Sequence, residues 1–240
     1  METLEQNKRM PSFGNSFNQG WEVMKKYFLI LFLVVIVVGI IMGPTQLIHY
    51  NVDPSHHNHW DWQSGWDWHF PTAGLIAVGI LATVFALFAL AYALLIVPVF
   101  RYGGKMMFLQ AVRDNRPDFN MLINGFRENY LSIVLANLLA AALIMLGFIA
   151  LIVPGIIIAC RLAFVGYLVM DKKYDAIMAV EESWKLTRGY GWTIFAMALV
   201  SFFIYLAGLC LLFVGIFPAS IWVNSSFASL YNAVLTEKSA

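Results

Sequence analysis

Few residues in this chain have the type and setting to do chemistry, and Arg161 comes first. It is the one formal charge within an otherwise apolar stretch that runs from Leu131 to Met170. An arginine at membrane depth costs about 2.5–3.5 kcal/mol on insertion scales, so it needs a polar partner, a wet path or a route to the headgroups. Side chains able to meet it are Asn137, Ser201, Tyr205 and, near the C-terminus, Ser225, Ser229 and Asn232. The last three recur at helical spacing and so share one side of a helix. No carboxylate inside the spans offers Arg161 a buried ion pair. It reads either as glue between helices or as a site for a lipid or another anion.

A second cluster is His56-His57-x-His59. All five histidines, with Trp60, Trp62, Trp66 and Trp68, fall in or beside the segment from His49 to His69. Imidazole is the commonest ligand of copper and zinc, so an extracytoplasmic metal ion on His56, His57 and His59 is one reading. The spacing is unlike a structural zinc site, however, and no cysteine joins the set. The plainer reading is a polar loop anchored by tryptophans at the membrane interface. No cofactor is expected.

Catalytic signatures are missing. The chain has no HExxH, no GxSxG, no P-loop and no glycine-rich dinucleotide turn, and we assign no catalytic residue. Asp171, Asp175, Glu181 and Glu182 read as the polar face of a helix from about 174 to 189. Cys160 and Cys210 lie in apolar segments, where a thiol behaves as a small hydrophobe. The expectation is a protein that is not an enzyme.

The elements that must position these residues follow from composition. Sixty per cent of the chain is hydrophobic and 12% charged, with a mean hydropathy of +0.72. That balance belongs to a multi-pass membrane protein, and a net charge of +1 gives no pointer to nucleic acid. Apolar windows predict six spans, at about 27–48, 72–100, 130–152, 155–171, 191–213 and 215–235. A hairpin turn is expected at Pro154-Gly155, which places Arg161 roughly 9 Å along the helix from the outer surface. There it is shallow enough to snorkel outward.

Basic residues set the expected topology. Lys25 and Lys26 precede the first span; Arg101, Lys105, Arg113, Arg116 and Arg127 follow the second; Lys172, Lys173, Lys185 and Arg188 follow the fourth. The loop 50–71 holds no lysine or arginine. The positive-inside rule then puts both termini in the cytoplasm and the histidine loop outside. The polar leader before Tyr27 is long and no small-residue cleavage site follows, so the first apolar run reads as a retained span.

A weak repeat runs through this layout. Trp21, Lys25 with Lys26, and Tyr27 lead into the first span; Trp184, Arg188 and Tyr190 lead into the fifth with the same spacing. Gly125 to Tyr130 is a shortened version before the third. Each reads as an interfacial amphipathic helix with its aromatic at headgroup level and its bases on lipid phosphate. Glu22 with Lys26, and Glu181 with Lys185, are expected helix pairs. The expected fold is therefore all-α: a polytopic membrane helical bundle, six spans as three pseudo-repeated hairpins. Gly39 and Gly43 form a GxxxG in the first span, suited to internal packing or to a homo-oligomer.

Val153-Pro154-Gly155, Arg161, Tyr167, Asp171, Glu182-Ser183-Trp184, Leu186-Thr187 and Gly189 resemble a pattern in a large group of bacterial six-span membrane proteins of unknown function. Phe13-Gly14 and Tyr102-Gly103-Gly104-Lys105 extend the likeness over nearly the whole chain. The group is similar to the membrane domain of some glycerophosphodiester phosphodiesterases, and its members are sometimes labelled beta-carotene monooxygenases. That label requires iron-binding histidines, which these spans lack. The resemblance implies an architecture in a bacterial plasma membrane and carries no assigned activity. The leading functional expectation is an accessory or lipid-interacting scaffold with membrane lipids as its partners. A small transporter and a histidine-loop metal sensor are the alternatives.

Overall fold

The computed structural model describes residues 11–46, 72–210 and 215–239. All regular structure among them is helical: α1 Phe13–Gln46, α2 Thr72–Leu95, α3 Val97–Val112, α4 Asn120–Arg127, α5 Tyr130–Ala150, α6 Ile152–Arg161, α7 Val165–Asp171, α8 Ala176–Leu186, α9 Gly191–Cys210 and α10 Ile216–Ser239. Five stretches are long and apolar enough to cross a membrane: Phe13–Ile40, Gly79–Val112, Tyr130–Ala150, Ile152–Asp171 and Gly191–Cys210. This is the make-up of a multi-pass membrane protein, because a helix satisfies its own backbone where no water can.

The last helix, α10, is not among the five, and its position explains why. Ile221, Ser225, Ser226, Ala228, Leu230, Tyr231 and Val234 are all shielded from solvent, so protein surrounds it on most sides. A helix buried among its neighbours can carry serine and asparagine that a lipid-facing helix cannot. Its longest partner is α1, and the approach is close. A Cβ on Gly20 would lie 2.3 Å from the Ser226 hydroxyl and 2.8 Å from its backbone nitrogen. Trp222 donates its indole N–H to the Phe17 carbonyl at 3.0 Å and meets the rings of Phe17 and Trp21 edge-on.

Three departures from the expected layout have local causes. The second window does not end near residue 100. The chain turns at Ile96, before Pro98, and continues as α3 to Val112, so Arg101 and Lys105 lie on a helix rather than in a loop. Proline near the start of α3 lacks the N–H that a continuing helix needs. Buried Met107, Phe108 and Leu109 give α3 the core-facing side that its basic residues masked in the hydropathy.

The second departure is the hairpin. The turn falls at Leu151, in extended conformation (φ −169°, ψ 156°), and Pro154 sits inside the first turn of α6. Its missing N–H costs nothing there, because those N–H groups have no helical partner anyway. The Gly147 and Gly155 backbones meet across the hairpin, where a Cβ on Gly147 would lie 2.9 Å from the Gly155 Cα.

The third concerns the charge pairs. Glu22 joins Lys25 at 2.8 Å and Glu182 joins Lys185 at 3.4 Å, both three residues apart, whereas Lys26 reaches across to Asp114. At the expected crossing glycine, Gly39, a built Cβ meets no other element within 4 Å among the described residues, so no tight crossing forms there among them.

The helical path also breaks at Tyr27, Asn129 and Gly189. Tyr27 interrupts α1 with φ −117°, ψ 23°; Asn129 stands between α4 and α5 with φ −135°, ψ 27°; Gly189 lies between α8 and α9 at φ +92°. That last conformation is the left-handed one that only glycine adopts freely.

Candidate functional site

Arg161 ends α6, and the end is built by another helix. Residues 162–164 leave the helical path before α7, which frees the Arg161 carbonyl. Ser183 of α8 donates its hydroxyl to that carbonyl at 2.8 Å, and Thr187, one turn on, does so at 3.3 Å while also bonding the Ser183 carbonyl at 2.8 Å. Both hydroxyls are buried. Between them in sequence, Trp184 lays its ring against the guanidinium, 5.8 Å from the arginine Cζ. Such a cation–π contact contributes about 0.5–2 kcal/mol, depending on how dry it is.

With the turn at Leu151, Arg161 lies ~15 Å along α6 from it rather than 9 Å. Its guanidinium contact with Trp184 comes from α8, a second helix. One terminal guanidinium nitrogen is shielded and has no hydrogen-bond partner among the described residues. Arg161 also borders a groove of about 600 Å³ whose walls are Val153, Ile156, Ile157, Cys160, Trp192 and Phe195, with Gly189 and Gly191 at its edge. Trp192 is 84% exposed at the start of α9 and meets the Phe195 ring edge-on, with centroids 6.0 Å apart.

Ser229, Asn232 and Ser201, expected polar partners of Arg161, bond elsewhere. Ser229 donates to the Gln19 side chain at 2.5 Å, and Asn232 accepts from Arg113 Nε at 2.9 Å. Ser201 donates to the Met197 carbonyl at 2.6 Å. Ser225 is fully buried with its hydroxyl unpartnered among the described residues. Asn137 lies on α5, half-buried. Ser225, Ser229 and Asn232 do belong to one helix, but none of the three bonds Arg161.

Among the interfacial residues, Trp21 packs on Trp222, and Tyr27 donates to the Asp114 carbonyl at 3.4 Å. Tyr190 donates to Glu237 at 2.6 Å. Burial and then the Glu237 carboxylate push the Tyr190 hydroxyl up to about 12. Lys238 donates to the carbonyls of Lys185 at 2.6 Å and Arg188 at 3.5 Å. The last turn of α10 therefore holds the same α8–α9 turn that edges the groove. His56, His57 and His59 lie outside the described residues, as does the whole loop 50–71. Among the described residues no cluster of three or more histidines, cysteines and carboxylates could hold a metal.

Two charged features were not expected. Asp171, the last residue of the fourth apolar stretch, does form a buried ion pair, with Arg113: NH1 at 2.5 Å and NH2 at 2.9 Å, while the Tyr231 hydroxyl donates to the same carboxylate at 3.1 Å. The Asp171 side chain is 7% exposed and that of Arg113 29%. The hydrogen bonds that Arg113 donates to Asp171 hold the arginine above its ordinary value. The second is Lys105, whose ammonium lies 5.7 Å from the Tyr102 ring centre and 5.3 Å from that of Tyr167. The available signals were a carboxylate at the end of an apolar window and a serine and threonine four apart on α8.

No protein-family profile, curated protein or solved structure matches this chain.

Proposed function

We propose that this protein is a non-catalytic, lipid-interacting scaffold of a bacterial plasma membrane, with α10 as a sixth span and both termini in the cytoplasm. The observation that carries the reading is the Arg161 groove. It combines a shielded cation lacking an acceptor among the described residues with apolar walls that open at the bundle's side. A membrane lipid supplies both an oxygen acceptor and apolar chain at that position.

The wider layout supports it. The basic residues fall in alternate connections between the apolar windows of the sequence, the pattern that the positive-inside rule associates with a cytoplasmic face. Breaks at Tyr27, Asn129 and Gly189, each followed by an apolar helical stretch, support the reading of three repeated hairpins. Ser229 and Asn232 of α10, two side chains that a permeation path would use, are bonded to Gln19 and Arg113 instead. A bundle whose central helix is packed on most sides favours a scaffold over a pathway through one protomer.

Native mass spectrometry of the purified chain tests the reading. Lipids should remain on the wild type and drop at least several-fold on Arg161→Ala. Equal lipid retention by the two proteins would remove the groove from the function.

A further inference from the structure

We propose that the groove selects an anionic phospholipid, with its phosphodiester on Arg161 and the start of one acyl chain along Val153, Ile157 and Phe195. This rests on the lipid-interacting reading above and narrows it to a chemical class.

Charge balance is the first argument. The described carboxylates that form ion pairs do so with Lys25, Lys26, Arg113, Lys173 and Lys185, and none of these pairs includes Arg161. Among the described residues Arg161 has no ion-pair partner, and its shielded terminal nitrogen is a donor without an acceptor. Leaving such a donor unmet is costly, and a charged acceptor relieves it better than a neutral one. Trp184 covers one face of the guanidinium, which leaves its edge as the route for an acceptor. An edge-on guanidinium matches two oxygens of a phosphate.

The walls give the second argument. Val153 and Ile157 are more than half exposed and Trp192 almost wholly so, which a small hydrophilic anion does nothing to cover. An amphiphile covers them while its phosphate meets the arginine. At about 600 Å³ the space suits a headgroup phosphate with the beginning of a chain rather than a whole lipid. A zwitterionic lipid would bring a second cation toward a site that already has one. Gly191 keeps the mouth open, since a Cβ there meets nothing within 4 Å.

The test uses the full chain in mild detergent, titrated with phosphatidylglycerol or phosphatidylcholine carrying brominated chains, and separately with glycerol 3-phosphate. Quenching of tryptophan fluorescence reads chain contact, and competition against bound phosphatidylglycerol reads the soluble phosphate. We expect phosphatidylglycerol to bind at least tenfold more tightly than phosphatidylcholine. The preference should fall below twofold in Arg161→Ala and persist in part in Arg161→Lys. Gly191→Leu keeps the charge and fills the mouth, so it should weaken both lipids several-fold, and it serves as the test if Arg161→Ala does not fold. Equal binding of the two lipids, both weakened by Gly191→Leu, overturns the anionic selectivity and leaves the lipid reading standing. Glycerol 3-phosphate competing as well as the lipid shows a free-phosphate site and overturns the proposal. No quenching by either lipid overturns both readings.

Discussion

Asp171 offers the sharpest test of how the bundle is held. Its carboxylate accepts two hydrogen bonds from Arg113 and one from Tyr231, and it is almost fully enclosed. Removing one partner of such a pair strands the other, and breaking a fully buried pair costs about 3–5 kcal/mol. Arg113 keeps 29% of its side-chain exposure, so water takes up part of the stranded charge. We therefore expect Asp171→Ala to cost about 2–3 kcal/mol, at or just below the lower end of that range. Asp171→Asn retains one acceptor and should cost about 1–2 kcal/mol. The double variant Arg113→Met with Asp171→Ala leaves no charge behind and should recover at least half of the loss. The assay is reversible unfolding in mixed micelles followed by tryptophan fluorescence. Additive costs for Arg113→Met and Asp171→Ala, with a coupling below about 0.5 kcal/mol, would falsify the argument that the two charges act as one unit.

Three further outcomes follow from the same geometry. Gly147→Val should destabilise the α5–α6 hairpin by about 2–4 kcal/mol, because its Cβ would collide with the Gly155 backbone, whereas Gly39→Ala should stay within about 0.5 kcal/mol; equal effects would show that the hairpin is not tightly packed. Ser183→Ala with Thr187→Val removes both hydroxyls from the Arg161 carbonyl and should cost about 1–3 kcal/mol, read by the same unfolding assay; an unchanged midpoint means α8 does not cap α6. Folding raises the Tyr190 hydroxyl to about 12, so its contribution to stability is complete below the ordinary tyrosine value and is lost as pH rises between about 10 and 12. Tyr190→Phe should therefore lose less stability than the wild type across that window, and parallel pH profiles would sink the Tyr190–Glu237 contact.

The legible and illegible parts of this molecule divide along the range of the interactions involved. The membrane-crossing helices were legible because hydropathy is a local sum, and five apolar stretches stand close to where the sequence puts them. Arg161 was legible as the charge in need of a partner. The identity of that partner was not, because Ser183, Trp184 and Thr187 belong to a helix that had read as an interfacial anchor. Arg101 and Lys105 concealed α3 for a related reason: two charges lower a window average although the opposite side of the helix is buried.

What the sequence determined by itself is the class of solvent around each segment: lipid for the apolar windows, water for the basic connections. That follows from transfer free energies, which each residue carries with it wherever it goes. Tertiary structure alone decided that α10, with its serines and asparagines, lies among the others, that Asp171 pairs with Arg113 and not Arg161, and that the hairpin turns at Leu151. Each of these depends on contacts between residues far apart in the chain. Such contacts are set by close approach and hydrogen-bond geometry, to which a pattern of hydropathy is blind.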